Sequence, residues 1–246
     1  MAPSGDPIML DLTGKVAVIT GGSRGIGRTI GRLLVAHGAT VVVAARNQAD
    51  VERTAAELGG SDGTRVLGVA CDVRRWDDCQ ALVDRTVAAF GRLDVLVNNA
   101  GVGVFAPLEA MSLEEWHRQI ETNLDGVFHC CRAALHHLTQ AEGWIINIGS
   151  LAGRNAFSGG TAYNATKFGL LGFSEALMLE VRHAGVRVAC VMPGSVATEF
   201  GAGAADAADW KLHPEDVAQV VLDLLAFPAR ALPSRVEIRP SRPPSS

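Results

Sequence analysis

Short runs of apolar residues, rich in valine and isoleucine, alternate with longer stretches of helical periodicity along the 246-residue chain. The short runs are continuously apolar, which is typical of strands buried on both faces of a parallel sheet. The segments 25–37 and 76–90 have the pattern of helices. Ser112 and Glu115 predict a capping box at the start of another helix, and Pro214 suits the first turn of a late one. The predicted strands are 15–20, 40–45, 65–70, 94–98, 144–148, 187–191 and 235–239.

The repeated alternation of strand and helix predicts an α/β fold, a doubly wound, mostly parallel seven-stranded sheet with helices on both faces (Rossmann-like). Neither a linker nor a change of composition interrupts the pattern, so we expect a single domain over residues 10–239. We expect a flexible leader at 1–9 and an extended tail at 240–246. The segment 194–213 is rich in Gly, Ala, Ser and Asp, and a long irregular segment inside a compact domain is typical of a functional lid.

The composition excludes several classes of protein. The net charge of −4 is the opposite of what a nucleic-acid-binding protein with a concentrated basic patch would carry. No apolar run approaches the roughly 18 residues that a membrane span needs. Residues 1–6 also lack the Lys and Arg of a secretory signal. We therefore expect a cytoplasmic protein that binds neither nucleic acid nor membrane.

The cysteines and histidines could be interpreted as a metal site. Cys130 and Cys131 follow His129, and His136 and His137 lie a little further along the chain. However, neighbouring residues on a helix point in different directions, and no second pair of ligands stands out elsewhere. The five cysteines are odd in number and lack C-x-x-C spacing, which is typical of reduced thiols. We expect no bound metal.

The first predicted strand leads directly into a glycine-rich turn, Thr20 to Gly27, and a helix follows. Glycines at such a turn let the backbone approach a pyrophosphate, which the N–H groups at the helix start can bind. The sequence pattern G-x-S-x-G within the same turn also matches the nucleophile elbow of α/β-hydrolases. Only twenty residues precede Gly21, too few for the strands and the oxyanion loop that a hydrolase needs ahead of its elbow. The turn therefore predicts contacts with a dinucleotide from Gly21, Ser23, Arg24, Gly25, Ile26 and Gly27.

Polar residues follow two further strands at the carboxyl edge of the sheet, where ligands bind in this architecture. The segment 98–101, Asn-Asn-Ala-Gly, ends the fourth strand, and Ser150 ends the fifth. The one tyrosine of the chain, Tyr163, lies thirteen residues beyond that serine and four before Lys167. A spacing of i, i+4 places the phenol and the amine on the same face of a helix.

Together these motifs resemble the short-chain dehydrogenase/reductase family, in its compact branch of about 250 residues. The resemblance extends from Lys15 to about Thr198 and implies an oxidoreductase with a nicotinamide cofactor. It also implies a homodimer or homotetramer packed through the helix that carries Tyr163. By resemblance the catalytic residues are Asn123, Ser150, Tyr163 and Lys167. Beyond the glycine turn, the implied cofactor contacts are Arg46, Asn47, Asp72, Val73, Asn99, Ala100, Gly101, Tyr163, Lys167, Pro193, Gly194, Val196 and Thr198.

The chemistry follows from the residue types. Tyr163 would donate a proton to a carbonyl oxygen as hydride arrives, and would accept it in the reverse direction. A free tyrosine has a pKa of about 10, and an ammonium about 4 Å away should lower it by about two pH units. The resemblance implies that Lys167 also binds the nicotinamide ribose and that Asp72 binds the adenine. It further implies that Ser150 polarises the substrate oxygen and that Asn123 positions a water molecule for proton relay.

The end of the second strand predicts which cofactor binds. An NAD enzyme of this architecture usually places an acidic residue there to bind the adenosine ribose. In this chain Ala45 occupies that position and Arg46 follows, with a guanidinium suited to a phosphate. Arg24 adds a second positive charge. We expect NADP(H), with NAD(H) the less favoured alternative.

The candidate substrate pocket is mostly apolar. It comprises 102–105, 151–157, Phe200 and Trp210, with Arg154 as its one charged member. We expect a small to medium apolar ketone or secondary alcohol.

Two alternatives stay open. The chain is similar to 3-oxoacyl-acyl-carrier-protein reductases, but residues 235–240 lack their glycine-rich ending, and the turn at 140–142 lacks the basic residues an acidic carrier protein would favour. A catalytically silent, cofactor-sensing protein would keep the fold and lose turnover.

Overall fold

The computed structural model describes residues 10–59, 65–200 and 209–244. The predicted leader at 1–9, part of the predicted lid (201–208) and the last two residues of the predicted tail lie outside the described residues.

In the described part of the chain, seven strands form one sheet in the order β3-β2-β1-β4-β5-β6-β7, and every neighbouring pair is parallel. The predicted fold class is confirmed, and the sheet is parallel throughout. The strands are β1 Val16–Thr20, β2 Thr40–Ala45, β3 Val66–Ala70, β4 Val95–Asn98, β5 Trp144–Ile148, β6 Arg187–Pro193 and β7 Arg235–Ile238.

Of the seven α-helices in the described residues, six cover the two faces of the sheet, and the short helix Leu113–Ile120 packs against one of those six. Successive residues of each strand point to opposite faces, so Val18 packs with α3, α5 and α6 whereas Ile19 packs with α1, α2 and α7. Both faces of the sheet are therefore shielded from water, which explains why the strand sequences are continuously apolar. The helices are α1 Gly25–Ala36, α2 Gln48–Gly59, α3 Trp76–Phe90, α4 Leu113–Ile120, α5 Gly126–Ala141, α6 Thr161–Val181 and α7 Pro214–Ala226. None of them is long and apolar enough to cross a membrane.

Local details agree with the sequence in most places. The capping box of Ser112 and Glu115 begins α4, and Pro214 is the first residue of α7. Several predicted boundaries differ by one residue, and one differs by two, because β6 continues through Pro193 where the sequence predicted an end at residue 191. The added residues stay in register with β7, which pairs Pro193 with Ile238.

The strand order determines where a ligand can bind. β1 lies between β2 and β4, and the chain turns to opposite sides of β1 when it forms β2 and when it forms β4. The loops after β1 and β4 therefore separate at the carboxyl edge and leave a crevice between them.

Candidate active site

A single cleft of about 1810 Å³ opens at the carboxyl edge of the sheet. Ordinary small-molecule pockets measure about 300–1,000 Å³, so this cleft has room for a dinucleotide and a second molecule. Of the predicted site residues, Gly27 and Asn123 do not line its wall. Those that do are Gly21, Ser23, Arg24, Gly25, Ile26, Arg46, Asn47, Asp72, Val73, Asn99, Ala100, Gly101, Ser150, Tyr163, Lys167, Pro193, Gly194, Val196 and Thr198.

The glycine turn has the shape of a phosphate cradle. Gly21 and Gly25 have φ angles of +61° and +51°, which favour glycine over residues with a side chain. A Cβ on Gly27 would collide with the Asn99 amide and with the carbonyl oxygen of Gly21. Helix α1 begins at Gly25 with no acidic residue in its first turn and no side-chain cap from Arg24. Its N-terminal N–H groups are thus available to an anionic ligand, and the turn fits a dinucleotide pyrophosphate.

Asn99 and Thr20 fix the distance between the two loops that flank the crevice. Asn99 Nδ2 donates to the carbonyl oxygens of Thr20 and Gly21, each at 3.0 Å. The hydroxyl of Thr20 accepts from the backbone N–H groups of Asn99 at 3.0 Å and Ala100 at 3.1 Å. The segment 98–101 therefore supports the cradle from behind and contributes its backbone to the cleft wall.

A buried amide chain, which the sequence analysis did not identify, continues from this segment. Asn98 Nδ2 donates to Asn147 Oδ1 at 2.8 Å, and Asn147 Nδ2 donates to the Ser174 hydroxyl at 2.9 Å. These bonds link β4, β5 and α6. A buried asparagine at the same position of two adjacent strands was the signal that could have revealed it.

Tyr163 and Ser150 meet where β5 and α6 approach each other. Tyr163 is buried in the first turns of α6, and Ser150 follows β5 as predicted. Burial raises the pKa of the Tyr163 phenol above its ordinary value, and a hydrogen bond with Ser150 offsets part of that increase. The Ser150 hydroxyl also accepts from the backbone N–H of Ala152 at 3.1 Å, which fixes its position.

Lys167 lies on the same face of α6 as Tyr163, but its ammonium is directed elsewhere. Nζ donates to the carbonyl oxygen of Ile148 at 3.0 Å and lies 5.7 Å from the centre of the Tyr163 ring. Burial lowers the pKa of Lys167 to about 8. The expectation that this ammonium lowers the pKa of Tyr163 is wrong for the chain by itself, since desolvation of the phenol dominates and raises that pKa.

Asn123 is a positioning residue in this structure. It lies in a π-helical turn, Glu121–Asp125, between α4 and α5. Its Oδ1 accepts from the backbone N–H of Val102, and its Nδ2 donates to the Val102 carbonyl, both at 2.9 Å, and to the Thr166 hydroxyl at 3.1 Å. Because the side chain is used in these bonds, it holds the 98–101 loop against α6. Its predicted role in a water relay stays a prediction.

The adenosine end of the cleft carries more charge than the sequence analysis identified. Arg74 donates to both carboxylate oxygens of Asp72 and thereby holds the pKa of that carboxyl below its ordinary value. Arg46 is exposed and its charge helps to lower the pKa of Asp72, although no hydrogen bond or ion pair joins Arg46 to another described residue. Arg24 pairs with Glu199 at 3.3 Å across the cleft. The sequence analysis missed Arg74, although its position two residues after Asp72 was a usable signal.

The other end of the cleft is apolar, as predicted, but Arg154 is not part of it. Arg154 Nη1 pairs with Glu237 Oε1 at 2.5 Å, away from the cleft wall. Sequence reasoning missed this pair because the partners lie far apart in the chain. It also missed Lys211, which lines the cleft just before α7, and Arg239, Pro240 and Pro243, which line it after β7 brings the C-terminal segment back to this edge. The predicted pocket residues found here are Val102, Phe105, Leu151, Ala152, Asn155, Ala156, Phe157, Phe200 and Trp210.

The candidate cysteine and histidine cluster resolves into separate contacts. Cys130 is buried with its sulfur 3.6 Å from that of Cys79, whereas His129 Nδ1 contacts the carbonyl of Val73. Within the described ranges, no group of three or more His, Cys, Asp or Glu side chains is arranged to hold a metal ion.

Comparisons with known proteins agree with this site. A sequence profile of the family described as short chain dehydrogenase matches residues 15–209. The chain is 39% identical over 196 residues to the 3-oxoacyl-[acyl-carrier-protein] reductase of Chlamydia muridarum, covering 79% of each protein. It is 41% identical over 191 residues to the D-threitol dehydrogenase of Mycolicibacterium smegmatis, covering 77% of this chain and 73% of that one.

Solved structures share the architecture. An alcohol dehydrogenase from Thermococcus sibiricus, complexed with 5-hydroxy-NADP, superposes with a TM-score of 0.88 at 32% identity, covering 94% of this chain and 99% of that one. A 3-ketoacyl-(acyl-carrier-protein) reductase from Brucella melitensis, complexed with NADH, superposes with a TM-score of 0.85 at 29% identity and the same coverage. The fold, the cradle and the cleft define a nicotinamide-dependent oxidoreductase. Within that class, the chain belongs to the short-chain dehydrogenase/reductase family.

The lowered pKa of Lys167 predicts a pH-dependent stability. Between pH 8 and 10.5 the unfolded chain retains the lysine proton that the folded chain has lost, so the free energy of unfolding should rise with pH over that window. The slope from this one group approaches about 1.4 kcal/mol per pH unit. Lys167→Met should remove that part of the slope. Urea unfolding of the cofactor-free proteins at several pH values measures it, and equal slopes in wild type and variant would contradict the burial of a titrating amine.

Proposed function

We propose that the protein is an NADP(H)-dependent oxidoreductase that transfers a hydride between nicotinamide and a carbonyl or secondary alcohol substrate, with Tyr163 as general acid/base. The observation that carries the proposal is the convergence of Tyr163, Ser150 and Lys167 on one cleft, beside a turn shaped for a pyrophosphate. Asn123 completes the catalytic group through its position behind this site.

When bound, the cofactor supplies or accepts the hydride. An ordinary phenol is already protonated at neutral pH, and burial, which raises the pKa of Tyr163, keeps it so. Tyr163 can therefore donate this proton to a carbonyl oxygen. The Ser150 hydroxyl contacts the phenol and can bond the same substrate oxygen. Lys167, whose ammonium faces the end of β5 in the same cleft, would bind the ribose of the nicotinamide. This protonation state favours reduction at neutral pH.

Tyr163→Phe should abolish most turnover while leaving the fold and cofactor affinity unchanged, because it removes only the phenolic oxygen. General acid–base catalysis contributes about 10²–10⁴-fold, and kcat should fall by that order. The measurement is NADPH oxidation with a panel of ketones, with NADPH fluorescence titration as the control for binding. A kcat within threefold of wild type would show that another group carries the proton. A wild type that binds NADPH and turns over no ketone would favour the cofactor-sensing alternative.

The choice of NADP(H) rests on the end of β2. Ala45 lines the cleft where a carboxylate would repel a 2′-phosphate, and the adjacent Arg46 has its guanidinium exposed without an ion-pair partner among the described residues. Asp50 also lines this end, but its carboxylate pairs with Arg53 at 2.6 Å. The related structures include one complexed with 5-hydroxy-NADP and one with NADH, so the preference is a property that this chain's own residues must decide.

Arg46→Asp should abolish or reverse the cofactor preference. A charge-assisted hydrogen bond contributes about 1.5–3 kcal/mol, so wild type should prefer NADPH over NADH by about 10–100-fold in kcat/KM. Arg85→Asp is the matched control, since it makes the same charge change on an exposed part of α3 outside the cleft. Steady-state kinetics with both cofactors measure the ratio. Equal or better efficiency of the wild type with NADH would refute the assignment of Arg46.

The acyl-carrier-protein reductase remains a second candidate. A reductase of that kind from Chlamydia muridarum is 39% identical to this chain. Lys211 and Arg239 line the substrate end of the cleft and supply basic residues that the sequence analysis did not find. The rate of turnover of an acetoacetyl thioester of the carrier protein, compared with that of a simple ketone, distinguishes a carrier-protein reductase from a general ketone reductase.

We also propose a homodimer or homotetramer that packs through α6. Ala165, Phe168, Gly172 and Leu179 form an exposed stripe along this 21-residue helix. Phe168 is 46% and Leu179 54% exposed, and a Cβ on Gly172 would meet open space. A two-fold axis near the middle of the helix would place Phe168 against Leu179 of the second copy, as a self-complementary interface requires. The five free thiols support a cytoplasmic location.

Leu179→Asp should dissociate this assembly, because it would bury an unpaired charge twice in a two-fold interface. Light scattering coupled to size exclusion measures the mass. Phe227→Asp, at a similarly exposed position after α7, is the control and should keep the wild-type mass. A monomeric wild type, or an unchanged mass in Leu179→Asp, would contradict the interface.

A further inference from the structure

Three phenylalanines surround the phenol that carries out the proposed chemistry. Phe105 packs edge-on against Tyr163 with ring centres 5.4 Å apart, and Phe157 packs on Phe105 at 5.7 Å. Phe200 lies tilted against Tyr163 at 5.8 Å. All three rings line the cleft, so the site of proton transfer is enclosed by aromatic side chains.

These rings are only partly covered by the protein. Phe105 is 50%, Phe157 46% and Phe200 44% exposed, and each of the three lines the cleft. Exposed apolar surface gathered inside a concave site is typical of a ligand-binding surface. A bound apolar group would remove this surface from water.

The backbone beside the rings is shaped to bring them together. A Cβ on Gly103 would lie 2.7 Å from Phe200 Cε1 and 3.0 Å from Phe105 Cζ. Both rings therefore rest against the bare backbone of Gly103. Gln119 and Asn123 hold this loop by accepting from the N–H groups of Val104 and Val102. The position of the rings is therefore determined by the fold.

The charges at this end of the cleft do not favour a polyhydroxylated substrate. Glu199 is the one described acidic residue lining this end, and it pairs with Arg24. The Asn164 amide, which could otherwise bind a substrate hydroxyl, donates to the carbonyls of Ala152 and Asn155. Lys211 and Arg239 also line this end, and apart from these charged residues the wall is largely apolar.

We infer that the substrate is an aryl ketone or the matching aryl carbinol, with its aromatic ring held among Phe105, Phe157 and Phe200 and its carbonyl oxygen at Tyr163. Aromatic pairs prefer edge-to-face and offset arrangements with ring centres about 4.5–7 Å apart, the range already found among these side chains. The inference rests on the proposed function, because it names the substrate class of the same site.

The test compares two ketones of equal ring size, acetophenone and cyclohexyl methyl ketone, in kcat/KM. Conjugation makes acetophenone the less electrophilic of the two, so the effect of the pocket is read from the change of their ratio between variants. Aromatic contacts contribute a factor of about 2–10 beyond buried area, and Phe105→Leu and Phe157→Leu should each lower the aryl-to-cyclohexyl ratio by about that factor. Phe227→Leu, 42% exposed and outside the cleft, is the control and should leave the ratio unchanged.

A binding measurement separates this inference from the proposed function. Fluorine NMR of para-fluoroacetophenone with the NADP-bound Tyr163→Phe variant should show a ring-current shift that shrinks when Phe105→Leu is added. A shift without turnover by wild type would refute the proposed reaction and keep the aromatic pocket. Turnover of cyclohexyl methyl ketone, with an aryl-to-cyclohexyl ratio that the phenylalanine variants leave unchanged, would refute the aromatic pocket and keep the reaction. If wild type turned over neither ketone and the fluorine signal did not shift, both the proposed reaction and the aromatic pocket would be refuted.

Discussion

The hydrogen bonds between Thr20 and Asn99 hold together the two loops on which the rest of the site depends. Asn99 donates to the carbonyls of Thr20 and Gly21, so the turn after β1 and the turn after β4 keep a fixed separation. The close approach is possible because Gly27 has no Cβ to collide with the Asn99 amide. Amide, hydroxyl and glycine therefore act as a unit, and a side chain at Gly27 would move the phosphate cradle and the 98–101 loop together.

Burial sets the protonation of the site more strongly than charge pairing does. It disfavours the charged forms, so it raises the pKa of Tyr163 and lowers that of Lys167 to about 8. The two shifts move the proton affinities of a phenol and an amine further apart within two turns of one helix, so the phenol holds its proton more tightly than the amine. At neutral pH the chain alone keeps the phenol protonated, which is the state that the proposed role of Tyr163 as proton donor requires.

The sequence predicted those features that depend on local pattern. Continuous apolar runs located all seven strands, because both sheet faces are buried, and i, i+4 spacing placed Tyr163 and Lys167 on one helix face. Features set by tertiary contact were not predictable in this way. The ammonium of Lys167 turns to the Ile148 carbonyl, and Arg154 pairs with Glu237 from a strand far along the chain. Both outcomes depend on which acceptor the fold brings within reach, and spacing along the chain does not encode that.

The two ends of the cleft differ in the interactions they offer a ligand, since one end is rich in charge and the other in apolar surface. Among the described residues, seven Lys and Arg but three acidic residues line it, in a chain whose net charge is −4, and four of those basic residues stand at the adenosine end. Such a concentration of charge attracts an anionic dinucleotide from a distance and weakens as salt screens it. The aromatic end acts at contact distance, through apolar surface that leaves water. An anionic cofactor and an apolar substrate, as proposed above, would therefore bind at opposite ends of one cleft, with Tyr163 where the two ends meet.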